Sequence, residues 1–176
     1  MRRAHGAAAL ALLLLWFGAA RGSAAEAAPS KKVFHDDLLD RLVGKWALDR
    51  EIRGTRAVDS VDAEWILNHQ FLQVRMRDVA QPPAYEALVL IGYDEASRRY
   101  VIDWCDDYGG GYSSRGTGTR DGDSIHFVFP YPEGPFHNTF TFDAAHGTWT
   151  CRLESEAKDG TRKLFAIDRL RRSEAR

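Results

Sequence analysis

Four polar residues recur among apolar side chains at alternate positions, and they are the strongest candidates for chemistry in this sequence: Arg50, Asp59, Asp106 and Asn138. Residues two apart in a β-strand point to the same face of a sheet, so each of the four shares a face with large apolar neighbours. A polar group on a buried face must be paired, either with another side chain or with the polar end of a ligand. Two pairings of Arg50 therefore remain open, one with Asp59 or Asp106 and one with a ligand carboxylate or carbonyl.

Other chemistries have weaker support in the sequence. The segment Gly122–Ile125 resembles the nucleophile block of one class of serine esterases, yet its serine starts a strand after a hairpin turn. His126 and His137 fall opposite the aromatic residues of their strands, which predicts an outer position, and neither has a local partner that would define a metal or haem site. The acidic residues ahead of Gly109 lack the repeat of a calcium loop. We therefore predict no catalytic residue, no metal ligand and no cofactor, and an enzyme is the third and least favoured class of function.

The elements that carry these residues are short β-strands. Residues 84–104 form the clearest unit, in which two runs of β-branched and aromatic residues flank a polar turn at Asp94–Arg98. Such a pattern is typical of a β-hairpin, and similar runs separated by turn residues fill most of the chain. The predicted strands are Lys45–Arg53, Ala57–Leu67, Phe71–Ala80, Tyr85–Tyr93, Arg99–Asp106, Gly111–Arg120, Ser124–Tyr131, Phe136–Phe142, Thr148–Ser155 and Thr161–Leu170.

The order and spacing of these strands predict the fold class. No helical pattern is long enough for a crossover between parallel strands, so consecutive strands should pair as an antiparallel meander. A sheet of about ten strands normally closes to remove its edges. One short helix is predicted ahead of the strands at His35–Val43, with Asp36 and Asp37 in its first turn. We therefore predict an all-β, up-and-down barrel with one short N-terminal helix, as a single domain over residues 34–172.

The inward phase of the predicted barrel carries most of the large aromatic residues. A small barrel of this kind is either packed solid or holds one small ligand beside a few polar groups. Two functions therefore remain open: binding of a small, mostly apolar or amphipathic molecule inside the barrel, and an accessory or structural domain with a filled core that acts through its surface. The residues predicted to line a binding site are Arg50, Asp59, Trp46, Trp65, Tyr100, Trp104, Asp106, Phe127, Asn138 and Phe140.

The first 25 residues have the three-part pattern of a signal peptide. Arginines at positions 2 and 3 precede an apolar run at Ala7–Ala20, and small residues at Gly22–Ala25 follow. The apolar run is shorter than the ~20 residues that a membrane helix needs. We predict cleavage after residue 24 or 25, a linker over residues 26–33, and a soluble periplasmic or secreted protein without a membrane span.

Cleavage would leave 21 basic against 25 acidic residues, because the removed segment holds three arginines and no acids. A mildly acidic protein lacks the basic stripe that nucleic-acid binders use, so no nucleic-acid partner is predicted. The two cysteines, Cys105 and Cys151, lie on strands far apart in order and on opposite phases. A disulfide requires close approach of the two backbones, so we predict two free thiols.

Two motifs resemble known families. The segment Leu42–Trp46, which enters the first strand after a short helix, is similar to the Gly-x-Trp opening of calycins, the superfamily of lipocalins and fatty-acid-binding proteins. The hairpin from Ile91 to Trp104 resembles that of a bacterial calycin-like family of unknown function, DUF1579. The resemblance covers Leu38–Leu170 and implies a calycin-like barrel, but no activity. The C-terminal strand lacks the Arg-x-Tyr pair with which fatty-acid-binding proteins hold a carboxylate, and no motif assigns the proximal histidine of haem-binding relatives.

Overall fold

Within residues 32–173, which the computed structural model describes, antiparallel strands close into a barrel. The strands are β1 (Gly44–Ile52), β2 (Thr55–Ile66), β3 (Phe71–Asp78), β4 (Glu86–Asp94), β5 (Arg99–Asp106), β6 (Ser114–Asp121), β7 (Ser124–Tyr131), β8 (Gly134–Asp143), β9 (Thr148–Glu156) and β10 (Arg162–Arg172). Each strand pairs with the next, and β10 returns to pair with β1. This arrangement confirms the predicted fold class. The predicted signal peptide and most of the predicted linker lie outside the described residues.

The connections between strands include the hairpin turns that the sequence predicts. Between β6 and β7, only Gly122 and Asp123 lie outside the paired residues Asp121 and Ser124, and Gly122 has a φ of +55°. A positive φ at the first position of a two-residue turn favours glycine. Ser124 therefore begins a strand, and its hydroxyl lies 2.9 Å from the hydroxyl of Thr141 on β8. This local structure is a hairpin and differs from the strand-to-helix turn that holds an esterase nucleophile.

The helix α1 covers one end of the barrel and is shorter than predicted, Asp37–Asp40 instead of His35–Val43. Asp36 caps its start, because the carboxylate accepts hydrogen bonds from two backbone N–H groups of the first turn at 2.8 and 3.0 Å. The α-helix ends at Asp40 because Arg41, Leu42 and Val43 donate to carbonyls three residues back, a tighter pattern than that of an α-helix. Leu42 O then accepts a hydrogen bond from Trp46 Nε1 of β1 at 2.7 Å. Neither α1 nor any other helix within residues 32–173 has the length and apolar character to cross a membrane.

We call the end of the barrel beside α1 the helix end and the opposite end, with the β1–β2 and β9–β10 turns, the open end. Large apolar side chains fill the helix end. Alternate residues of each strand point inward, so that Ile125 and Phe127 of β7 are buried between less buried neighbours. Leu38 and Leu39 of α1 are completely buried in the same core. Burial of each such side chain contributes roughly 1.5–3 kcal/mol to the stability of the fold.

Both cysteines are free thiols, as the opposite phases of their strands predict. Cys151 is buried on the inner face of β9, and this burial raises the pKa of its thiol well above the ordinary value. Cys105 is exposed on β5. A buried thiol and an exposed thiol on distant strands cannot pair without a large backbone movement.

Candidate functional site

A cavity of about 690 Å³ lies inside the open end of the barrel. Its aromatic lining residues are Tyr85, Trp104, Tyr108, Tyr112, Phe129, Tyr131, Phe136 and Phe165. Its polar lining residues are Arg50, Arg53, Asp59, Asp78, Asp106 and Asn138. This volume, with largely aromatic walls and a small number of polar groups, is typical of a site for one small molecule.

The cavity exists because small residues replace large ones on part of the inner wall at the open end. Ala57 of β2 pairs with Arg50 on one side of β1, and Ala166 of β10 pairs with Ile52 on the other side. These methyl groups leave free volume beside β1. Toward the helix end the barrel interior is filled by buried rings such as Phe127.

An ion-pair cluster around Arg50 forms the floor of the cavity. Arg50 Nε and Nη2 donate to the two carboxylate oxygens of Asp168 on β10, both at 2.7 Å. Arg50 Nη1 lies 3.5 Å from Asp59 Oδ2 on β2. The side chains of Asp59 and Asp168 are each nearly inaccessible to solvent. Of the pairings left open by the sequence, the structure therefore contains the pairing with an acid, and Asp168 supplies the main contact.

Burial and mutual charge interactions in this cluster shift the pKa values of Arg50 and Asp59. Burial alone would lower the pKa of Arg50, but the hydrogen bonds and charge of Asp168, with the charge of Asp59, raise it above the ordinary value. Burial raises the pKa of Asp59, an effect that Arg50 opposes and that Asp168 and Asp78 reinforce. Arg50 is therefore a permanent cation whose charge is shared between two buried carboxylates.

Tyr85 connects this ion-pair cluster to the aromatic wall. The Arg50 guanidinium lies 5.1 Å from the centre of the Tyr85 ring, a cation–π distance. Trp104 Nε1 donates a hydrogen bond to the Tyr85 hydroxyl at 3.2 Å. Burial raises the pKa of Tyr85 to about 12, so its phenol is neutral at physiological pH. The wall beside Arg50 thus offers neutral aromatic faces to a ligand.

Two buried oxygen atoms of the cavity residues have no hydrogen-bond donor among residues 32–173. One is Oδ2 of Asp59, which is near Arg50 Nη1 but outside hydrogen-bonding geometry, and the other is Oδ1 of Asn138 on β8. Each of these two residues is only 1% exposed. An unsatisfied buried acceptor is costly and is often explained by function. The cavity floor therefore has acceptors that lack donors.

Half of the residues predicted to line a binding site do line the cavity. They are Arg50, Asp59, Trp104, Asp106 and Asn138. The other half, Trp46, Trp65, Tyr100, Phe127 and Phe140, lie toward the helix end and away from the cavity. There the polar ring atoms of the first three bond to residues at or beside α1, namely Leu42, Asp40 and Asp36.

The sequence prediction missed Asp168, the partner of Arg50 behind the cavity, and several residues of the cavity lining. Asp168 alternates with Ala166 and Leu170, a signal for an inward position that is present in the sequence. Phe129, on the predicted inward stripe of β7, gave the same signal, since it follows Phe127 by two positions. Alternation identifies the face of a strand but carries no information on position along the barrel axis. Cavity and core residues therefore look alike in the sequence.

A second polar cluster lies on the outer face of β7 and β8. His126 Nε2 and His137 Nδ1 are 3.0 Å apart, and His137 Nε2 is 2.8 Å from Glu156 Oε2. Arg162 donates to the same Glu156 oxygen at 3.0 Å. The predicted outer position is correct, but these neighbours cover His137 so that it is only 4% exposed. Among residues 32–173 no group of three His, Cys, Asp or Glu side chains is arranged to hold a metal ion.

Comparisons with known proteins agree with this fold. The crystal structure of Rv2717c from M. tuberculosis aligns with a TM-score of 0.54 and 14% sequence identity, over 80% of this chain and 100% of that chain. At this identity the similarity shows the barrel fold alone. No curated protein is similar enough to count as a match. The family model described as "Protein of unknown function (DUF1579)" matches residues 34–139, a segment that includes Arg50, Asp59 and Asn138 but ends before Asp168. Since this match spans more than half of the sequence, the chain belongs to the DUF1579 family.

Proposed function

We propose that this protein binds a small, mostly apolar molecule inside the open end of its barrel. The observation that carries the proposal is the cavity of about 690 Å³, whose walls are largely aromatic and whose floor is polar. Apolar walls bury the body of a ligand, and a few polar groups orient it. The alternative, an accessory domain with a filled core, needs no such volume. The cavity therefore supports binding over a purely structural role.

The proposal includes export. The motivating feature is the sequence of residues 1–25, with its basic start, apolar run and small residues. The protein would then meet its ligand in the periplasm or outside the cell.

Export predicts a shortened chain in the natural host. N-terminal sequencing of the host-made protein should begin near Ala25 or Glu26, because a signal peptidase would cut after the small residues at positions 24 and 25. A chain that begins at Met1 would contradict this prediction. It would leave the proposal of a binding cavity intact, because the two rest on separate observations.

Binding predicts that a ligand accompanies the protein. Native mass spectrometry of protein purified from its own host should show a mass above that of the chain, which disappears on denaturation. A neutral fluorescent probe, the dansyl amide of hexylamine, should bind the emptied protein with enhanced emission. If host-made protein carries no ligand and the probe does not bind, the accessory role is the better account.

A bulky residue in the cavity should abolish this binding. Ala57 lines the cavity, so Ala57→Trp should weaken binding of the neutral probe by at least about tenfold, because the indole would occupy ligand volume. The matched control is Val58→Trp. Val58 is the next residue on β2 and is exposed on the outer face, so this change adds the same side chain outside the barrel. Equal effects of the two substitutions would place the probe outside the cavity and contradict the proposal.

A further inference from the structure

We propose that the ligand carries an organic ammonium group as its polar end. The inference rests on the proposed function and specifies the class of molecule that the cavity accepts. The sequence alone suggested a ligand carboxylate or carbonyl on Arg50, and the contacts of the cavity residues favour the opposite charge.

The charges around the cavity have an acidic excess. Asp59, Asp78 and Asp106 line it, and Asp168 lies directly behind Arg50. Among the described residues these four carboxylates face two guanidinium groups, those of Arg50 and Arg53. Arg53 lies at the rim, with its guanidinium 4.8 Å from the centre of the Phe165 ring. A concave, partly desolvated surface with excess negative charge attracts cations and repels carboxylates.

The side-on donors of Arg50 are already occupied. Its Nε and Nη2 donate to Asp168 at 2.7 Å, and its Nη1 lies 3.5 Å from Asp59. A ligand carboxylate could reach Arg50 only at Nη1, where it would face the Asp59 carboxylate, or by displacing Asp168 from its buried pair. Repulsion opposes the first route and loss of a buried partner opposes the second. Arg50 therefore stabilises the fold through its two aspartates and is a poor binding partner for an anionic ligand.

The unsatisfied atoms of the cavity residues are acceptors. Asp59 Oδ2 and Asn138 Oδ1 are buried and have no donor among residues 32–173. Both oxygens are almost inaccessible even to a water molecule, so they act on a ligand through their negative potential and not through a direct hydrogen bond. That potential favours an ammonium group at the floor and disfavours a carboxylate.

Aromatic rings line the cavity together with Asp106, which ends β5 at the open end. Asp106 lies with Tyr85, Tyr108, Tyr112 and Tyr131 among the lining residues. The Tyr108 ring is 6.3 Å from Tyr85 and 6.1 Å from Tyr112, measured between centres. Aromatic faces next to a carboxylate are the usual means of holding an ammonium ion by cation–π contacts. An amine with an apolar body would contact the acid and the rings together.

Three probes that differ only in their end group test the assignment. They are the dansyl amides of 1,5-diaminopentane, of hexylamine and of 6-aminohexanoic acid, which end in an ammonium, a methyl and a carboxylate. We expect the ammonium probe to bind most tightly of the three. Its dissociation constant should be at least about tenfold below that of the carboxylate probe. Neutral or carboxylate probes that bind as tightly as the ammonium probe would overturn the inference while the proposed function stands. If none of the three binds, both fail.

Two double variants with the same net charge test whether the cavity carboxylates cause the preference for the ammonium probe. The double variant Asp59→Asn with Asp106→Asn removes two negative charges from the cavity and should abolish the preference for the ammonium probe. The control, Asp103→Asn with Asp107→Asn, removes two negative charges outside the cavity lining and should retain it. Asp106→Asn alone, at a half-buried site, provides the same test with less risk to folding and should reduce the preference at least about threefold. A preference that is retained in the cavity variants, or that is lost equally in both double variants, would show that the cavity carboxylates do not cause it and would overturn the inference.

Discussion

Replacing Arg50 by methionine should lower the free energy of unfolding by about 3–5 kcal/mol, because it leaves two buried carboxylates without their cation. The arginine donates two 2.7 Å hydrogen bonds to Asp168 and lies 3.5 Å from Asp59. Neither acid can reach solvent to replace this partner. Urea denaturation at neutral pH, with the midpoint and slope fitted together, measures the change.

The control substitution is Arg115→Met. Arg115 also donates two 2.7 Å hydrogen bonds to one aspartate, Asp103, but this pair lies on the barrel surface. Its loss should cost less than about 1 kcal/mol, because water can solvate both charges. The two variants thus remove the same two-bond arginine–aspartate contact, once from the barrel interior and once from the surface. Similar losses of stability would show that burial of the Arg50 cluster has little energetic effect.

The pH dependence of the stability loss in Arg50→Met shows whether uncompensated charge or lost packing causes it. Burial already raises the pKa of Asp59 above its ordinary value, and Arg50 opposes this rise. Removing the arginine should raise that pKa further, so the folded variant binds a proton more tightly than the unfolded chain does. Acidification then favours the folded variant. The deficit relative to the parent protein should shrink as the pH falls from neutral toward about 4. A deficit that is constant with pH would indicate lost packing.

Phe127→Ala should destabilise the protein by about 3–5 kcal/mol and leave ligand binding nearly unchanged. Phe127 is fully buried on β7 and packs against Tyr100 and Phe140 with ring centres 6.4 and 5.5 Å apart. Its removal opens a void in the filled helix end, where neighbouring rings cannot collapse fully. It does not line the cavity. Denaturation and binding of the neutral dansyl probe give the two readouts.

Phe136→Ala is the matched comparison at the open end. Phe136 lines the cavity, is only partly buried, and packs edge-on against Phe165 at 5.4 Å. Its loss should cost about half as much stability, since less apolar area is buried there, but should weaken probe binding several-fold. The opposite pattern, with binding lost in Phe127→Ala and retained in Phe136→Ala, would place the ligand in the helix end. Binding data for the two variants together thus show whether the ligand lies at the open end or at the helix end of the barrel.

The prediction of the fold from the sequence depended on local signals. Alternation with period two identified the inward face of strands such as β7, and glycine at positions such as Gly122 identified the turns. Such signals involve neighbours in the chain, so no tertiary information is needed to read them. The prediction of the length of α1 is wrong, because Asp36 is an extended N-cap and the residues after Asp40 bond to carbonyls three residues back.

The candidate site depended on contacts between residues that are distant in the chain. Arg50 and Asp168 are 118 positions apart and become partners only because β10 closes the barrel against β1 in one register. Alternation places Arg50, Phe127 and Asn138 on the inner face, but their depth along the barrel axis follows from pairing across all strands. The sequence by itself therefore determined which side chains enter the barrel. Only the tertiary structure decided which of them fill the core and which line the cavity, because closure sets the position of each strand relative to its neighbours.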